Sequence, residues 1–391
     1  MPSPQLRLAV STTGDPRDPS VHSGAPAGVV RGLGELGAAV ASVRAGLPGP
    51  LERPVSVALA AARLRPGDLR HPAPAIRRRM DGVAMAREMV ALQQLRARAD
   101  LRRAGSLDGA VQHGCEYRVP WSVPFVTFED STFIQALGAY DWPWLRDKSP
   151  RAVRGMVERQ RAIYARATAC CTMSHWAARS IVEDYGVPRK KVAVVGLGRN
   201  VEPERADRDG TQPRFLFVGK DWERKNGPRV LAAFAALHDE RPDARLDIVG
   251  GHPRIDRPGV VGHGLLDTRE PDDRRDLAQL FSAATCFVLP SLHEPAGTVY
   301  AEAAAAGVPS IGSTAGGGAT VIDDTGRVVA PDDDAALFDA MRELANPEVA
   351  ARLGEQARLR SELFTWRVVA ERLVRALAPA GADLHGLAEF L

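Results

Sequence analysis

The stretch from Cys286 to Pro309 constrains the fold more than any other part of the chain. Cys286-Phe-Val-Leu-Pro-Ser291 is a short apolar run ending in Pro, the pattern of a buried strand that stops at the edge of a sheet. Glu294 then falls in the loop after that strand. Pro295 suits a first helical turn, the Ala-rich run from Ala301 to Ala306 propagates a helix, and Gly307 and Pro309 end it. Glu302 would lie about 8 Å along the helix axis from its first turn. Two carboxylates therefore stand at a Glu-x7-Glu spacing around a helix start. The N–H groups of Gly297, Thr298 and Val299 have no partner within such a helix, and its dipole favours an anion there. A diphosphate fits those donors, with one carboxylate left to face a sugar and the other a ribose.

This segment resembles the donor-site signature of the family 4 retaining glycosyltransferases. Their fold is GT-B, two Rossmann-like, doubly wound α/β domains facing a central cleft. The resemblance implies that Glu294 is the catalytic-site acid that contacts donor-sugar hydroxyls and that Glu302 binds the ribose. Ala296 departs from it, since relatives usually carry Phe there. The plain alternative makes Glu294 a solvated loop acid and Glu302 a solvent-facing helix residue.

A second motif agrees. Arg214-Phe-Leu-Phe-Val-Gly219 reads as a strand ending in Gly, followed by the loop Lys220-Asp-Trp-Glu-Arg-Lys-Asn-Gly227 and a helical run from Pro228 to Leu237. In the family this loop carries two cations that neutralise the donor diphosphate, and Lys220 and Lys225 match both positions. Relatives usually have Arg at the first, so a bidentate fork is replaced by a point charge. Only five of the 51 basic residues are Lys, yet two of them stand here.

Length and composition fit that architecture. A chain of 391 residues suggests two ordinary domains. The expected division is residues 1–203 for an acceptor domain, 204–365 for a donor domain and 366–391 for a crossover helix and tail. No apolar run approaches a membrane span, and no basic segment followed by an apolar run and cleavage site opens the chain, so a cytoplasmic location is expected. Cys115, Cys170, Cys171 and Cys286 are too few and too poorly spaced for a disulfide framework or zinc site and read as reduced core residues.

Strand and helix signals alternate twice along the chain, as two doubly wound domains require. Leu6 to Val10 reads as the first strand, Ser23-Gly-Ala-Pro-Ala-Gly28 as a small-residue loop and Val29 to Leu36 as a helix; Val40 to Val43, Asp108 to Gly114 and Pro124 to Phe128 are later strands. In the family that first loop approaches the donor phosphates, and Gly24 is the candidate for it, against a plain strand-to-helix turn. Relatives usually carry His six residues after Pro124, where this chain has Asp130. Asp130-Ser-Thr132 looks like the Asp-x-Thr variant of one branch. A carboxylate there could accept an acceptor hydrogen bond or support positive charge at the anomeric carbon, as could Glu129. The other reading makes Asp130 a cap for the following turn.

Val260-Val-Gly-His-Gly264 matches the loop the family places near the nucleobase, with His263 and Gly264 in that vicinity; His263 either stacks on the base or caps a strand. Ser310 to Gly318 resembles the family's Gly-Gly segment, although Thr320 stands where relatives commonly carry Glu. Trp366 to Leu377 reads as the last helix, which in the family crosses back to the N-terminal domain. Arg70 to Arg103 carries nine Arg against Asp81, Glu88 and Asp100, a local charge of +6 in a chain of +3. Met85, Met89, Leu92 and Leu95 recur there at helical spacing, so the segment reads as an amphipathic helix with a solvated Arg face. The functional alternative is attraction to an anionic acceptor or a lipid surface. Trp121, Trp142 and Trp144 flank Asp130 and suit either an acceptor platform or core packing.

Together these readings imply a metal-independent, retaining transferase that moves a sugar from a nucleoside diphosphate to a small-molecule, natural-product or lipid-linked acceptor. It would need no cofactor and bind no nucleic acid. The alternatives are an inactive sugar-nucleotide-binding partner protein and a nucleotide-sugar epimerase of the same fold. A dinucleotide oxidoreductase is disfavoured because no Gly-x-Gly-x-x-Gly follows the first strand.

Overall fold

The computed structural model describes residues 5–83, 86–139, 145, 148–203 and 212–378. Among them two parallel sheets form, each of six strands. The first contains β1 (Arg7–Thr12), β2 (Ala39–Arg44), β3 (Gly109–His113), β4 (Phe125–Glu129), β5 (Ala169–Thr172) and β6 (Val192–Val194), in the order β2-β1-β3-β4-β5-β6. The second contains β7 (Arg214–Gly219), β8 (Arg245–Gly250), β9 (Val260–Gly264), β10 (Cys286–Val288), β11 (Ser310–Ser313) and β12 (Arg327–Val329), in the order β12-β11-β10-β7-β8-β9. Strands such as β3 and β4 are buried at every residue, the pattern of parallel sheets covered by helices on both faces. All four cysteines are free and buried.

In such sheets ligands bind beyond the carboxyl ends of the strands, where the order of winding reverses. The reversal lies between β1 and β3 in the first sheet and between β7 and β10 in the second. Each unit thus has its own crevice, and the residues singled out above fall largely on the loops after these four strands and β4.

The chain divides into two compact units. Among the described residues one holds 5–172, Ala178–Val195 and 370–378; the other holds Met173–Ala177 and Gly196–Val369. The last helix, Trp366–Leu377, has the predicted bounds. In the first unit its Arg372 Nη1 donates to Val195 O (3.0 Å), and Leu377 lies against Gly109. In the second, Trp366 Nε1 donates to Asn200 Oδ1 (3.0 Å).

Three local expectations are corrected. The first helix starts at Ala25 rather than Val29, because Gly24 takes a left-handed conformation (φ 80) as its N-cap and Pro26 suits the first turn. The basic segment forms two helices, Pro72–Val83 and Arg87–Ala104. Met89 packs with Ala60 and Val83, but Leu95 is 58% exposed, so the predicted stripe is only partly a core face; Met85 lies outside the described residues. Asp100 is buried and receives Arg44 and Arg103, while Arg87, Arg98, Arg102 and Arg103 are exposed. Finally, Val260–Gly264 is an exposed edge strand, not a loop.

Candidate functional site

At the second reversal point the loops after β7 and β10 are stitched together. Lys225 Nζ donates to Glu294 Oε2, and Ser291 Oγ donates to the same oxygen (3.2 Å). Arg224 Nη1 donates to His293 O (2.8 Å), and Leu292 N donates to Arg224 O (2.8 Å). Asn226, in a left-handed conformation (φ 63), sends its side-chain amide to Pro290 O (3.0 Å) and Pro331 O (2.6 Å). Burial works against the charged form of both ionic partners and depresses Lys225. Burial would raise Glu294, but Lys225 foremost, with Arg224 and Ser291, holds its carboxyl below the ordinary range. His293 is pushed down to about 4, chiefly by burial, so its ring is neutral near pH 7. Lys220, by contrast, is exposed.

The helix after this loop runs Thr298–Ala305 with Gly297 as its N-cap (φ 80, ψ 49). Pro295 is therefore not in the first helical turn, as expected from the sequence, but in the loop before the cap. A left-handed cap favours Gly, and a Cβ at Gly297 would lie 2.4 Å from the Tyr300 ring and 3.4 Å from Glu294 Cγ. The acid is thus placed beside the helix N-terminus, where the N–H groups of Thr298 and Val299 begin the helix.

Glu302 is 7% exposed, which corrects the solvent-facing alternative. Its Oε1 accepts from Asn200 N (3.2 Å) and Val201 N (3.3 Å). Burial outweighs these two bonds and pushes its pKa up to about 7. Glu294 is likewise 7% exposed, so it is not a solvated loop acid. In both acids the hydrogen bonds to described residues fall on one carboxylate oxygen.

At the first reversal point His22 and Ser23, with φ of 46 and 54, precede Gly24 to make three successive left-handed residues. Such a conformation in non-glycine residues costs about 1–3 kcal/mol each and clusters at functional sites. It sets the His22 ring 4.7 Å from that of His113, at the end of β3. Both rings line a cavity of about 70 Å³ with Glu116, Glu129, Asp130 and Gln160. His113 is 5% exposed, and burial followed by the nearby His22 holds its pKa well below the imidazole range. Asp130 follows β4 and accepts from Ser131 Oγ (2.9 Å). Thr132, not Asp130, caps the next turn by accepting from Gln135 N (3.2 Å). Burial pushes the carboxyls of Asp130, Glu116 and Glu129 up. Glu129 accepts from Cys115 Sγ (2.7 Å).

The remaining candidates separate. His263 Nε2 bonds to Asp247 Oδ1 (2.8 Å) from β9 to β8, and Gly264 N donates to His252 Nε2 (3.0 Å). Thr320 accepts from His175 N (3.4 Å). Trp121 is 6% exposed, packs against Phe125 and donates to Gln112 Oε1 (3.0 Å), a core role; Trp142 and Trp144 lie outside the described residues. Asn226, His293, His22, His113 and Glu116 were not anticipated as site residues. Only Asn226 carried a local signal, an Asn-Gly pair before a helix.

Residues 212–346 match the family model described as glycosyl transferases group 1. The chain is 34% identical over 221 residues to a D-inositol 3-phosphate glycosyltransferase of Streptomyces avermitilis, covering 49% of this chain and 48% of that protein. It is 33% identical over 210 residues to a glycogen synthase of Mycobacterium tuberculosis, covering 49% of each. The chain thus spans about half the length of these relatives. Sucrose-phosphate synthase from Thermosynechococcus elongatus superimposes with a TM-score of 0.66 at 19% identity, covering 95% of this chain and 98% of that one. A glycosyltransferase from Rickettsia africae gives 0.60 at 15% identity, covering 96% and 98%. At these identities the likeness speaks for the fold, which is the α/β GT-B class. Among the described residues no helix is long and apolar enough to cross a membrane.

Proposed function

We propose that the chain is a metal-independent, retaining glycosyltransferase that moves a sugar from a nucleoside diphosphate to a small-molecule acceptor. The observation that carries this reading is the buried Lys225–Glu294 pair beside the N-terminus of the helix Thr298–Ala305. A diphosphate on the N–H groups of Thr298 and Val299 would be neutralised by Lys220 and Lys225 together with the helix dipole. Glu294 uses Oε2 for Lys225 and Ser291, leaving its other oxygen for a sugar hydroxyl. Glu302 uses Oε1 for the backbone at Asn200 and Val201, leaving Oε2 for the ribose.

With the diphosphate charge met by protein cations, a divalent metal and a cofactor are unnecessary. Glu294 would sit with the sugar's hydroxyls instead of behind the anomeric carbon. Departure and attack then share one face: the leaving phosphate oxygen takes the acceptor proton as the new glycosidic bond forms, and the lysines stabilise its charge. In the other unit, Asp130 is the candidate to support the acceptor hydroxyl or positive charge at the anomeric carbon.

The test is turnover with a panel of nucleotide sugars, followed by the anomeric proton coupling of the purified product. Retention of the donor configuration is expected; inversion would overturn the mechanism, and absence of nucleoside diphosphate binding in a thermal-shift screen would overturn the donor site.

A further inference from the structure

A second, larger cleft lies in the first unit and has about 720 Å³ of space. Among the described residues five arginines line it, namely Arg87, Arg118, Arg151, Arg154 and Arg159, and Glu158 is the one acid. The helix Pro150–Arg166 supplies most of this wall, since Arg151, Arg154 and Arg159 recur at the spacing of one helical face. Gly155 lies on the same face, and a Cβ there would meet nothing within 4 Å, so the wall is open at that point. Among the described residues Arg87, Arg118, Arg151 and Arg154 form no ion pair, and all four are exposed.

Like charges gathered in one cleft repel one another, and the burial of Arg159, followed by the charge of Arg118, depresses the Arg159 guanidinium. Several arginines outside the cleft pair with acids, as in Arg44–Asp100, Arg229–Asp334 and Arg358–Glu355. An anion entering the cleft would relieve that repulsion, and guanidinium forks suit the oxygens of a phosphate.

The cleft also adjoins the cavity that holds Asp130. Arg159 Nη1 donates to Glu116 O (2.9 Å), and Glu116 lines that cavity. Successive residues of one helix, Arg159 and Gln160, line the two spaces.

We propose that this cleft binds a phosphate ester, and that the ester belongs to the acceptor, whose hydroxyl is thereby presented near Asp130. Its assignment to an acceptor rests on the transferase reading above; the binding of a phosphate ester does not. The five arginines would hold the anionic end, and the small cavity would take the hydroxyl end. A soluble sugar phosphate and a lipid headgroup offer the same chemistry.

The test uses the full chain in two arms. Calorimetry compares glucose 6-phosphate with glucose, and sedimentation compares phosphatidylcholine vesicles with and without phosphatidylglycerol. Binding that depends on the phosphate is expected in at least one arm, and the arm that responds identifies the source. Arg151→Gln with Arg154→Gln should weaken it about tenfold or more, and Gly155→Glu, which adds a carboxylate without removing a cation, should do the same. Both variants should bind nucleoside diphosphate as the wild type does. Equal binding of glucose and its phosphate, together with no effect of phosphatidylglycerol, would overturn the proposal, as would wild-type affinity in both variants. Loss of nucleoside diphosphate binding in the wild type would instead overturn the transferase reading and leave the anion cleft standing.

Discussion

Lys225 Nζ donates to Glu294 Oε2, so a cation from one sequence motif and an acid from another, 69 residues apart, meet as one buried ion pair. The pairing places the two loops of the second reversal point in register before any donor is bound. It also means that Lys225 cannot be treated as a loop charge independent of Glu294.

Removing Lys225 should therefore cost stability as well as binding. Lys225→Ala leaves the Glu294 carboxylate buried without its counter-charge, a loss of about 3–5 kcal/mol. Lys220 is exposed, so Lys220→Ala should change stability by no more than about 0.5 kcal/mol while weakening nucleoside diphosphate binding about tenfold. Urea melts and calorimetry on the two variants separate these effects. Equal stability of the two variants would show that the pair does not hold the loops.

Glu302 should give a pH-dependent stability. Its pKa is pushed up to about 7 from an ordinary 4.5, so the folded state binds its proton more tightly than the unfolded state. Stability contributed by that proton is present in full below about pH 4.5 and is lost as pH rises through about 7, a change on the order of 3 kcal/mol. Glu302→Gln keeps an oxygen for the Asn200 and Val201 N–H groups but does not ionise, so this slope should disappear. Urea midpoints between pH 4 and 8, taken as about one-unit steps, would show it; identical slopes in both proteins would refute the assignment.

Glu294→Gln and Asp130→Asn should both impair turnover more than donor binding. Glutamine at position 294 keeps an acceptor for Lys225 but would weaken the proposed contact to the sugar, and Asp130 belongs to the unit that does not hold Lys220 and Lys225. A fall in turnover of about a hundredfold with nucleoside diphosphate affinity changed only a few-fold is the expected outcome. Equal losses in turnover and nucleoside diphosphate affinity would place these residues at the diphosphate instead.

On the proposed reading, Lys220, Lys225 and a helix N-terminus would supply the charge that a divalent ion would otherwise bring, so turnover should survive a strong chelator. Two of the three aspartates at 332 to 334 have carboxylates engaged elsewhere: Asp333 Oδ1 accepts from Ala336 N (2.9 Å), and Asp334 Oδ1 accepts from Arg229 Nη1 (2.5 Å). Complete loss of activity that magnesium restores would contradict the metal-free route.

Much of this architecture is legible in single segments. Strand β7, the last helix and the apolar run of β10 are recognisable from the chain alone, because burial in a parallel sheet demands continuous apolar runs and a capped helix demands its own end signals. Helix starts were less legible where Gly and Pro compete, as at Gly24 and Gly297, since both residues suit a first turn and a cap. Leu95 shows a different limit: helical spacing predicts a shared face, but whether that face is covered depends on what packs there.

By itself the sequence determined the two doubly wound halves, the strand-loop-helix frame around Glu294 and Glu302, and the presence of two lysines in the loop after β7. These depend on local periodicity and short spacings. Only the tertiary structure decided that Lys225 pairs with Glu294, that Glu302 is buried against the backbone at Asn200 and Val201, and that His22 meets His113. The physical reason is that strand order is not written in any one segment. Which loops share a crevice follows from how the sheets wind, and burial, which sets whether an acid is solvated or held near neutral, follows from that same winding.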